Sequence, residues 1–183
     1  MEQKPNSYQL FLDGDESALA DIIHTYKDGL ILYLSGIVGD IVTAEELTEE
    51  VFVKLVLKRP RFHNGSSFKT WLYTVARNTA IDHLRRNKRI HIPLEECPHL
   101  AGEEDLERSY IHQEEKLLMH RCMKQLKPEY RQVLWLSYFE GFSYQQIGRV
   151  MKKTTHGVET LAYRARVALK NLMIKEGYNY EGL

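Results

Sequence analysis

The feature that most constrains the fold of this 183-residue chain is the spacing of its apolar residues. They recur every three or four positions through most of the sequence, which places them on one face of an α-helix. No run alternates apolar and polar residues over the length of a half-buried β-strand. The pattern therefore predicts an all-α protein.

Three amphipathic helices are predicted in the first half of the chain. Asp15 or Ser17 is the expected N-cap of the first helix, and Gly36 and Gly39 mark its end. The second helix is expected to begin near Thr43, and the third to cover about 67–88. The expected core positions are Leu19, Ile22, Ile23, Tyr26, Leu30 and Tyr33 in the first helix, Ala44, Leu47, Val51 and Leu55 in the second, and Leu72, Val75, Ala76, Thr79 and Leu84 in the third.

The helical pattern stops between the two halves, where prolines, a glycine and a cluster of acidic residues occur together. Such a composition is typical of a linker. We therefore expect two small helical domains, 1–89 and 115–183, joined by an acidic linker over 90–114.

Charge is sorted along the chain although the formal net charge is zero. Residues 66–91 carry six Lys and Arg against one acidic residue, and residues 116–183 carry 12 against five. Between them, residues 92–115 carry one arginine against eight acidic residues. Two basic blocks separated by an acidic one indicate two surfaces that face nucleic acid. Ordinary solvated surface is the alternative interpretation.

A helix-turn-helix is predicted near the C-terminus. Pro128 is suited to the first turn of a helix that ends before a glycine. Ser143 and Gln146 then have the spacing of a capping box, and Lys152 to Thr154 form the turn, with Thr154 as the next N-cap. A short helix, a tight turn and a longer basic helix form the unit that enters the major groove of DNA. Its expected core positions are Ile147, Val150, Met151, Val158, Leu161, Ala162, Ala165 and Leu169.

Three segments resemble the extracytoplasmic-function class of the sigma-70 superfamily of RNA polymerase sigma factors. Residues 44–55, AEELTEEVFVKL, resemble the helix of sigma region 2 that grips the polymerase clamp. Residues 68–86 are similar to the pattern F-x-T-W-L-x-x-I-A-R-N-x-A-x-D-x-L-R of the same region, and residues 126–172 resemble sigma region 4. Two regions in this order, with no extra domain between them, are typical of the class. The resemblance implies a dissociable subunit that directs promoter-specific initiation.

The same resemblance implies three groups of contact residues. The expected contacts with core polymerase are Glu46, Leu47, Glu49, Glu50, Phe52 and Lys54. Those with the downstream promoter element are Phe62, His63, Asn64, Lys69, Arg77, Asn78, Arg85 and Arg86. Those with the upstream element are Thr154, Thr155, Glu159, Thr160, Tyr163, Arg164 and Arg166.

The expected partners are the β′ clamp and the β flap of core RNA polymerase, promoter DNA in duplex and single-stranded form, and an anti-sigma factor. The free protein is expected to be a monomer without cofactor or catalytic activity, because the polymerase supplies the chemistry. The acidic linker is expected to approach the active-site cleft and RNA exit path in place of nucleic acid. Neutralising its carboxylates should then alter abortive initiation.

The chain departs from the family at several positions. Two cations usual in the last helix are replaced by Glu159 and Leu161. A glutamate there can accept a hydrogen bond from cytosine, which would change the upstream element that is read; the alternative is that these departures simply weaken binding. Gly157 lowers the stability of the first turn of this helix, so we expect that turn to fray until DNA is bound. Trp71 is expected to pack in the core rather than to stack on a base.

Two other functions are compatible with parts of the sequence. An independent helix-turn-helix regulator would need only the C-terminal half, and the pattern at 68–86 disfavours it. A metal enzyme is disfavoured because the histidines and cysteines match no common zinc spacing. The residues weighed for that site are His91, Cys97, His99, His112, His120 and Cys122. With no signal-peptide pattern and no apolar run of about 18 residues, a cytoplasmic protein is expected, with no membrane insertion of its own.

Overall fold

The computed structural model describes residues 7–62, 67–87, 119 and 121–177, and all of the secondary structure in these residues is helical, as predicted. The predicted linker at 90–114 lies outside them, as do His63 and Asn64. The helices are α1 (Ser7–Leu12), α2 (Ser17–Val38), α3 (Ile41–Lys58), α4 (Phe68–Asn87), α5 (121–125), α6 (Pro128–Leu134), α7 (Tyr144–Met151) and α8 (Thr155–Lys175), with a π-helical turn (Trp135–Phe139) after α6.

Helix α2 begins and ends at polar and glycine signals that the sequence carries. The Asp15 carboxylate accepts hydrogen bonds from the backbone N–H and the hydroxyl of Ser17, at 2.9 and 2.6 Å. At the other end Gly39 adopts a left-handed conformation (φ 86°), and its N–H donates to the Ser35 carbonyl. The prediction that Gly36 marks the helix end is wrong, because the backbone hydrogen bonding continues through it to Val38.

Helices α3 and α4 pack on α2 to form the first domain. Asp40 caps α3, since its carboxylate accepts from the Thr43 N–H at 2.7 Å, and the helix therefore starts two residues earlier than predicted. The predicted stripe of α3 is fully buried, and α4 buries Leu72, Ala76 and Thr79 while leaving Val75 and Leu84 half-buried.

Helix α1 has no counterpart in the sequence prediction. Its Tyr8 ring stacks on Phe68 at a centroid distance of 4.1 Å, and the Tyr8 hydroxyl donates to the carbonyl of Pro60. Burial raises the pKa of Tyr8 to about 12. A six-residue helix is too short to show a periodic pattern, so its two buried aromatics carried no clear signal.

The second domain consists of α5 to α8, with α8 packed against both α6 and α7. Pro128 occupies the first turn of α6 as predicted. The expected continuous helix to Glu140 instead widens into the π-turn over Trp135–Phe139, where the rings of these two residues stack at 4.4 Å. A π-turn accommodates one extra residue in the helix and is a local feature that periodicity does not show.

The two domains pack against each other in this structure. Helix α4 contacts α7, α2 contacts α6, and the buried apolar residues of both domains form one continuous cluster. Among the described residues, no helix is both long and apolar enough to cross a membrane.

Candidate nucleic-acid interface

Local capping fixes the geometry of the predicted helix-turn-helix. The capping box is confirmed: the Gln146 N–H donates to the Ser143 hydroxyl at 3.3 Å, and the Ser143 N–H donates to the Gln146 side chain at 2.9 Å. Thr154 caps α8 as predicted by accepting from the Gly157 N–H at 3.1 Å. A Cβ at Gly148 would lie 2.7 Å from the Lys153 carbonyl oxygen, so the tight turn requires a glycine there.

The outer face of α8 carries most of the residues expected to contact the upstream promoter element. Glu159, Tyr163, Arg164 and Arg166 are exposed along it, and Thr160 is half-buried. Leu161 packs against the core, so of the two family departures only Glu159 lies on the exposed face. The Glu159 Oε2 lies 3.6 Å from His156 Nδ1. Helix α8 begins at Thr155, two residues before Gly157.

Arg166 is held by two tyrosines from neighbouring elements. Its guanidinium donates to the Tyr144 hydroxyl at 3.1 Å and also hydrogen-bonds Tyr138. These hydroxyl contacts raise the pKa of Arg166, with the Tyr144 bond as the first cause. The side chain is thereby positioned at the α7–α8 junction, on the solvent side, where a phosphate could reach it.

The polar residues of α4 form two groups. One group is exposed to solvent, and the other contacts the second domain. Arg85 and Arg86 are exposed near the C-terminal end, and Asn78 is half-buried. Asp82, the one acidic residue of α4, pairs with Arg85 at 3.2 Å. The open end of α4 thus presents two guanidinium groups to solvent.

The residues of α4 that contact the second domain are Lys69 and Arg77. Lys69 Nζ lies 3.0 Å from a Glu140 carboxylate oxygen and donates to the Glu140 carbonyl at 2.9 Å. Arg77 Nε donates to the buried Gln132 side chain at 3.0 Å. Sequence reasoning placed Lys69 and Arg77 at the DNA interface, but it had no means of finding these partners more than 50 residues away.

An aromatic cluster lies beside the loop that precedes α4. Phe62 is half-buried, 6.2 Å from the ring of Trp71 and 5.5 Å from that of Tyr8. Trp71 is half-buried and packs on Phe68 and Phe62, as expected for a core role rather than an open stacking platform. Of the three expected contact residues in this loop, Phe62 alone is among the described residues.

The outer face of α3 combines carboxylates with exposed apolar side chains. Glu46 and Glu49 are exposed, and Glu50 pairs with Lys54 at 2.7 Å. Lys54 also donates to the Thr79 hydroxyl of α4 at 2.8 Å, so it joins two helices. Sequence reasoning missed the exposed apolar residues of this face, although their positions outside the core stripe marked them. They are Val42, Val53, Val56 and Leu57, the last with 78% of its surface exposed.

Two of the expected polymerase contacts are corrected by the structure. Leu47 and Phe52 are buried in the first domain, because the helical repeat that carries the core stripe also turns these two side chains inward. Both side chains pack in the core beneath α3. The residues of α3 that a partner can reach are the exposed carboxylates and apolar side chains.

Comparison with known proteins shows the family of this chain. The Sigma-70 region 2 family matches residues 22–90, and the Sigma-70 region 4 family matches residues 116–169. The chain is 30% identical to the RNA polymerase sigma-H factor of Pseudomonas aeruginosa, over 85% of this chain and 86% of that protein. It is 28% identical to the ECF RNA polymerase sigma factor SigW of Bacillus subtilis, over 86% and 89%. The chain belongs to the extracytoplasmic-function sigma factors of the sigma-70 family.

Solved structures share the fold of this sigma factor. CnrH, in complex with the cytosolic domain of CnrY, matches with a TM-score of 0.65 and 16% identity, over 93% of this chain and 97% of that one. The sigma factor RpoE of Bartonella quintana, in complex with the anti-sigma factor NepR, matches with a TM-score of 0.65 and 21% identity, over 87% and 98%. The residues matched by the two family models place region 2 over α2–α4 and region 4 over α5–α8.

Histidines and cysteines occur close together in sequence in and after the predicted linker. Within the described part of the sigma factor, no three His, Cys, Asp or Glu side chains come together in a way that could hold a metal ion. Cys122 is buried, and burial raises the pKa of its thiol. The other residues of that cluster lie outside the described ranges.

Proposed function

We propose that this sigma factor binds core RNA polymerase as a dissociable subunit and directs initiation at a distinct set of promoters. The observation that carries the proposal is the match to regions 2 and 4, in that order, along a single chain. The protein then supplies promoter recognition and strand opening in the cytoplasm, and the polymerase supplies the catalysis.

The outer face of α3 is the proposed contact with the β′ clamp. Exposed Glu46 and Glu49 would meet basic groups of the polymerase, and exposed Val53 and Leu57 would be buried in the contact. Apolar surface removed from water gives the favourable energy, while the charges set orientation and partner choice. Region 4 is proposed to contact the β flap.

Helix α4 and the loop before it are the proposed site for the melted downstream strand. Arg85, Arg86, Lys69 and Arg77 supply cations for the phosphates, and the region around Phe62 supplies aromatic surface for an unstacked base. Cations that follow the backbone and rings that stack on bases are the general means of holding a single strand.

The exposed face of α8 is the proposed reader of the upstream duplex. Arg164 and Arg166 are suited to phosphates, and Tyr163 and Glu159 lie where the helix would face base edges. A carboxylate only accepts hydrogen bonds, so Glu159 would favour a cytosine, whose N4 amino group donates in the major groove.

We also propose that an anti-sigma factor controls the protein, and that this regulator holds it at the membrane until a signal arrives. Support comes from RpoE, which was solved with the anti-sigma factor NepR, and from CnrH, whose bound CnrY fragment is a cytosolic domain. These two proteins share the fold of this chain, and the proposed control rests on that likeness.

Run-off transcription tests the proposed function. Purified core polymerase from the source bacterium is incubated with a pool of its genomic promoter fragments, with and without the protein. Transcripts with defined starts that depend on the protein are expected. No transcripts, together with tight duplex binding by the protein alone, would favour an independent regulator instead.

A further inference from the structure

Helix α1 contacts the chain segment that leads from α3 towards α4. This segment, Arg59–Phe62, follows the last residue of α3, and α1 touches three of its residues. The Tyr8 hydroxyl donates to the Pro60 carbonyl, and the Tyr8 ring lies 5.5 Å from the Phe62 ring. The Arg59 guanidinium lies over the Phe11 ring, 4.7 Å from its centre.

The two aromatic side chains of α1 are anchored in region 2. Tyr8 and Phe11 are only 4% and 2% exposed, and α1 packs on α2. The Tyr8 ring also stacks on Phe68, the first residue of α4, at a centroid distance of 4.1 Å. One buried ring therefore contacts the residues on both sides of the loop that precedes α4, Phe62 before it and Phe68 after it.

The segment begins in a backbone conformation that arginine rarely adopts. Arg59 is left-handed, with φ 37° and ψ 56°, at a helix end where glycine or asparagine is usual. Such a conformation persists only where the surroundings hold it. The Arg59 N–H donates to the Leu55 carbonyl at 2.9 Å, and its guanidinium is attracted to the face of the Phe11 ring. Helix α1 thus supplies one of the contacts that fix the direction in which the chain leaves α3.

The Tyr8 hydroxyl makes a contribution that its ring does not. Ring packing is largely non-directional, whereas a hydrogen bond fixes both a distance and an angle. Proline has no N–H, so the carbonyl is the one backbone group through which Pro60 can be hydrogen-bonded. The bond to Tyr8 lies two residues before Phe62, and it therefore helps to set where the Phe62 ring lies beside Trp71, 6.2 Å away.

We propose that Tyr8 is a positioning residue for capture of the promoter strand: through the Pro60 carbonyl it holds the segment Arg59–Phe62, so that the Phe62 ring is placed to receive an unstacked base. Tyr8 acts from beneath, because its own side chain is buried. The role in strand capture rests on the proposed function, whereas the hold of α1 on the segment does not.

Tyr8→Phe tests this proposal because it removes the hydroxyl that bonds Pro60 and keeps the ring that packs on Phe62 and Phe68. Tyr33→Phe is the matched control. It makes the same chemical change at another buried tyrosine of region 2, whose hydroxyl has no hydrogen-bond partner among the described residues. Both substitutions preserve the apolar core, so both variants are expected to fold.

The first measurement is the rate at which trypsin cleaves the Arg61–Phe62 bond in the free full-length proteins under native conditions. Trypsin cleaves after lysine and arginine but not before proline, so this bond reports local release of the segment. Cleavage is expected to be at least threefold faster in Tyr8→Phe than in Tyr33→Phe, with cleavage after Lys153 in region 4 unchanged. Equal rates at Arg61–Phe62, or equal acceleration at both sites, would overturn the hold of α1 on the segment.

The second measurement is the lifetime of open complexes of core polymerase with each variant, on a promoter that the wild type uses in run-off transcription. One abasic site is moved through the downstream element of the captured strand, and each lifetime is divided by that of the intact strand. In the wild type, loss of the captured base is expected to shorten the lifetime at least tenfold at one position. With Tyr8→Phe the loss at that position should fall to threefold or less, while Tyr33→Phe keeps the wild-type profile.

A general loss of stability would shorten every lifetime and leave the abasic profile unchanged. That result with Tyr8→Phe would overturn the positioning role. If no protein gives transcripts, the proposed function fails and the role in strand capture fails with it, while the trypsin data still decide the hold of α1 on the segment.

Discussion

Glu140 of region 4 makes several of the polar contacts between the two regions. Its carboxylate is almost buried, and it is neutralised by Lys69 and hydrogen-bonded by Trp135 and Tyr73. A buried charge is tolerated when it is paired and its lone pairs are satisfied, and it is costly when the pairing is lost. The stability of the molecule should therefore respond to this side chain more than to ordinary surface carboxylates.

Glu140→Gln is expected to lower the free energy of unfolding by about 1–3 kcal/mol, because it removes the charge that pairs with Lys69 while keeping the shape. Urea unfolding measures the change. Glu129→Gln is the matched control, since Glu129 forms an exposed ion pair with Lys153 at 3.2 Å and such pairs contribute about 0–1 kcal/mol. Equal effects of the two substitutions would contradict the special role of Glu140.

Buried tyrosines give the protein an alkaline limit. Burial raises the pKa of Tyr33, and burial followed by the Glu140 carboxylate raises the pKa of Tyr73. Both stay neutral in the folded state while the unfolded chain releases their protons near pH 10, so the free energy of unfolding should fall as the pH rises above about 10. Absorbance at 295 nm should show that fewer than all 11 tyrosines ionise before unfolding, whereas all ionise near pH 10 in urea. Full ionisation near pH 10 with native circular dichroism would contradict this.

Glu159→Lys is expected to change which upstream elements are used, because it replaces an acceptor by a donor on the exposed face of α8. Run-off transcription on a promoter library randomised in the upstream element measures the change, and the preference for cytosine should be lost at one position. Glu176→Lys makes the same charge change just beyond α8 and should leave base preference unaltered. An identical set of promoters for Glu159→Lys would exclude Glu159 from base recognition.

At the scale of elements, the sequence predicted the helices that have a repeating apolar stripe and the helix ends that have a capping side chain. The buried stripes of α2, α3 and α8 recur over three or more turns, and Ser143 and Thr154 cap through bonds three residues away, so both signals are local. Helix α1 and the π-turn are too short to show a period. The contacts of Lys69 and Arg77 depend on packing between distant segments, which no local pattern contains.

The exposed apolar residues of α3 are expected to contribute to binding of core polymerase. Val53→Ser combined with Leu57→Ser should weaken binding to core polymerase at least tenfold while leaving the unfolding midpoint almost unchanged, because both side chains are largely exposed in the free protein. Fluorescence anisotropy with labelled protein and core polymerase measures the affinity. Leu32→Ser, an exposed leucine of α2, is the control. Unchanged affinity in the double variant would remove this face from the proposed interface.

At the scale of the whole molecule, regions 2 and 4 share one continuous cluster of buried apolar residues. Two halves that stabilise each other through a common core should unfold together. The two domains and their order were predicted from the sequence. Their packing was not, because it depends on Gly29 and Gly36 of α2, which lie beside Glu140 and Arg131 of region 4.

Differential scanning calorimetry of the full chain should therefore give one transition, with equal calorimetric and van 't Hoff enthalpies. Gly36→Gln should separate it into two transitions, because it weakens the contact with Arg131 and leaves each domain intact. Two transitions in the wild type would show that the domains are thermally independent.

Gly29 of α2 also has a genetic consequence. Every glycine codon becomes an alanine codon by one base change, and alanine would improve the helix, but its methyl group would lie 2.9 Å from both a Glu140 carboxylate oxygen and the hydroxyl of the buried Tyr73. A library of single-base changes selected for folded protein should therefore be depleted of Gly29→Ala, although alanine is the better helix former.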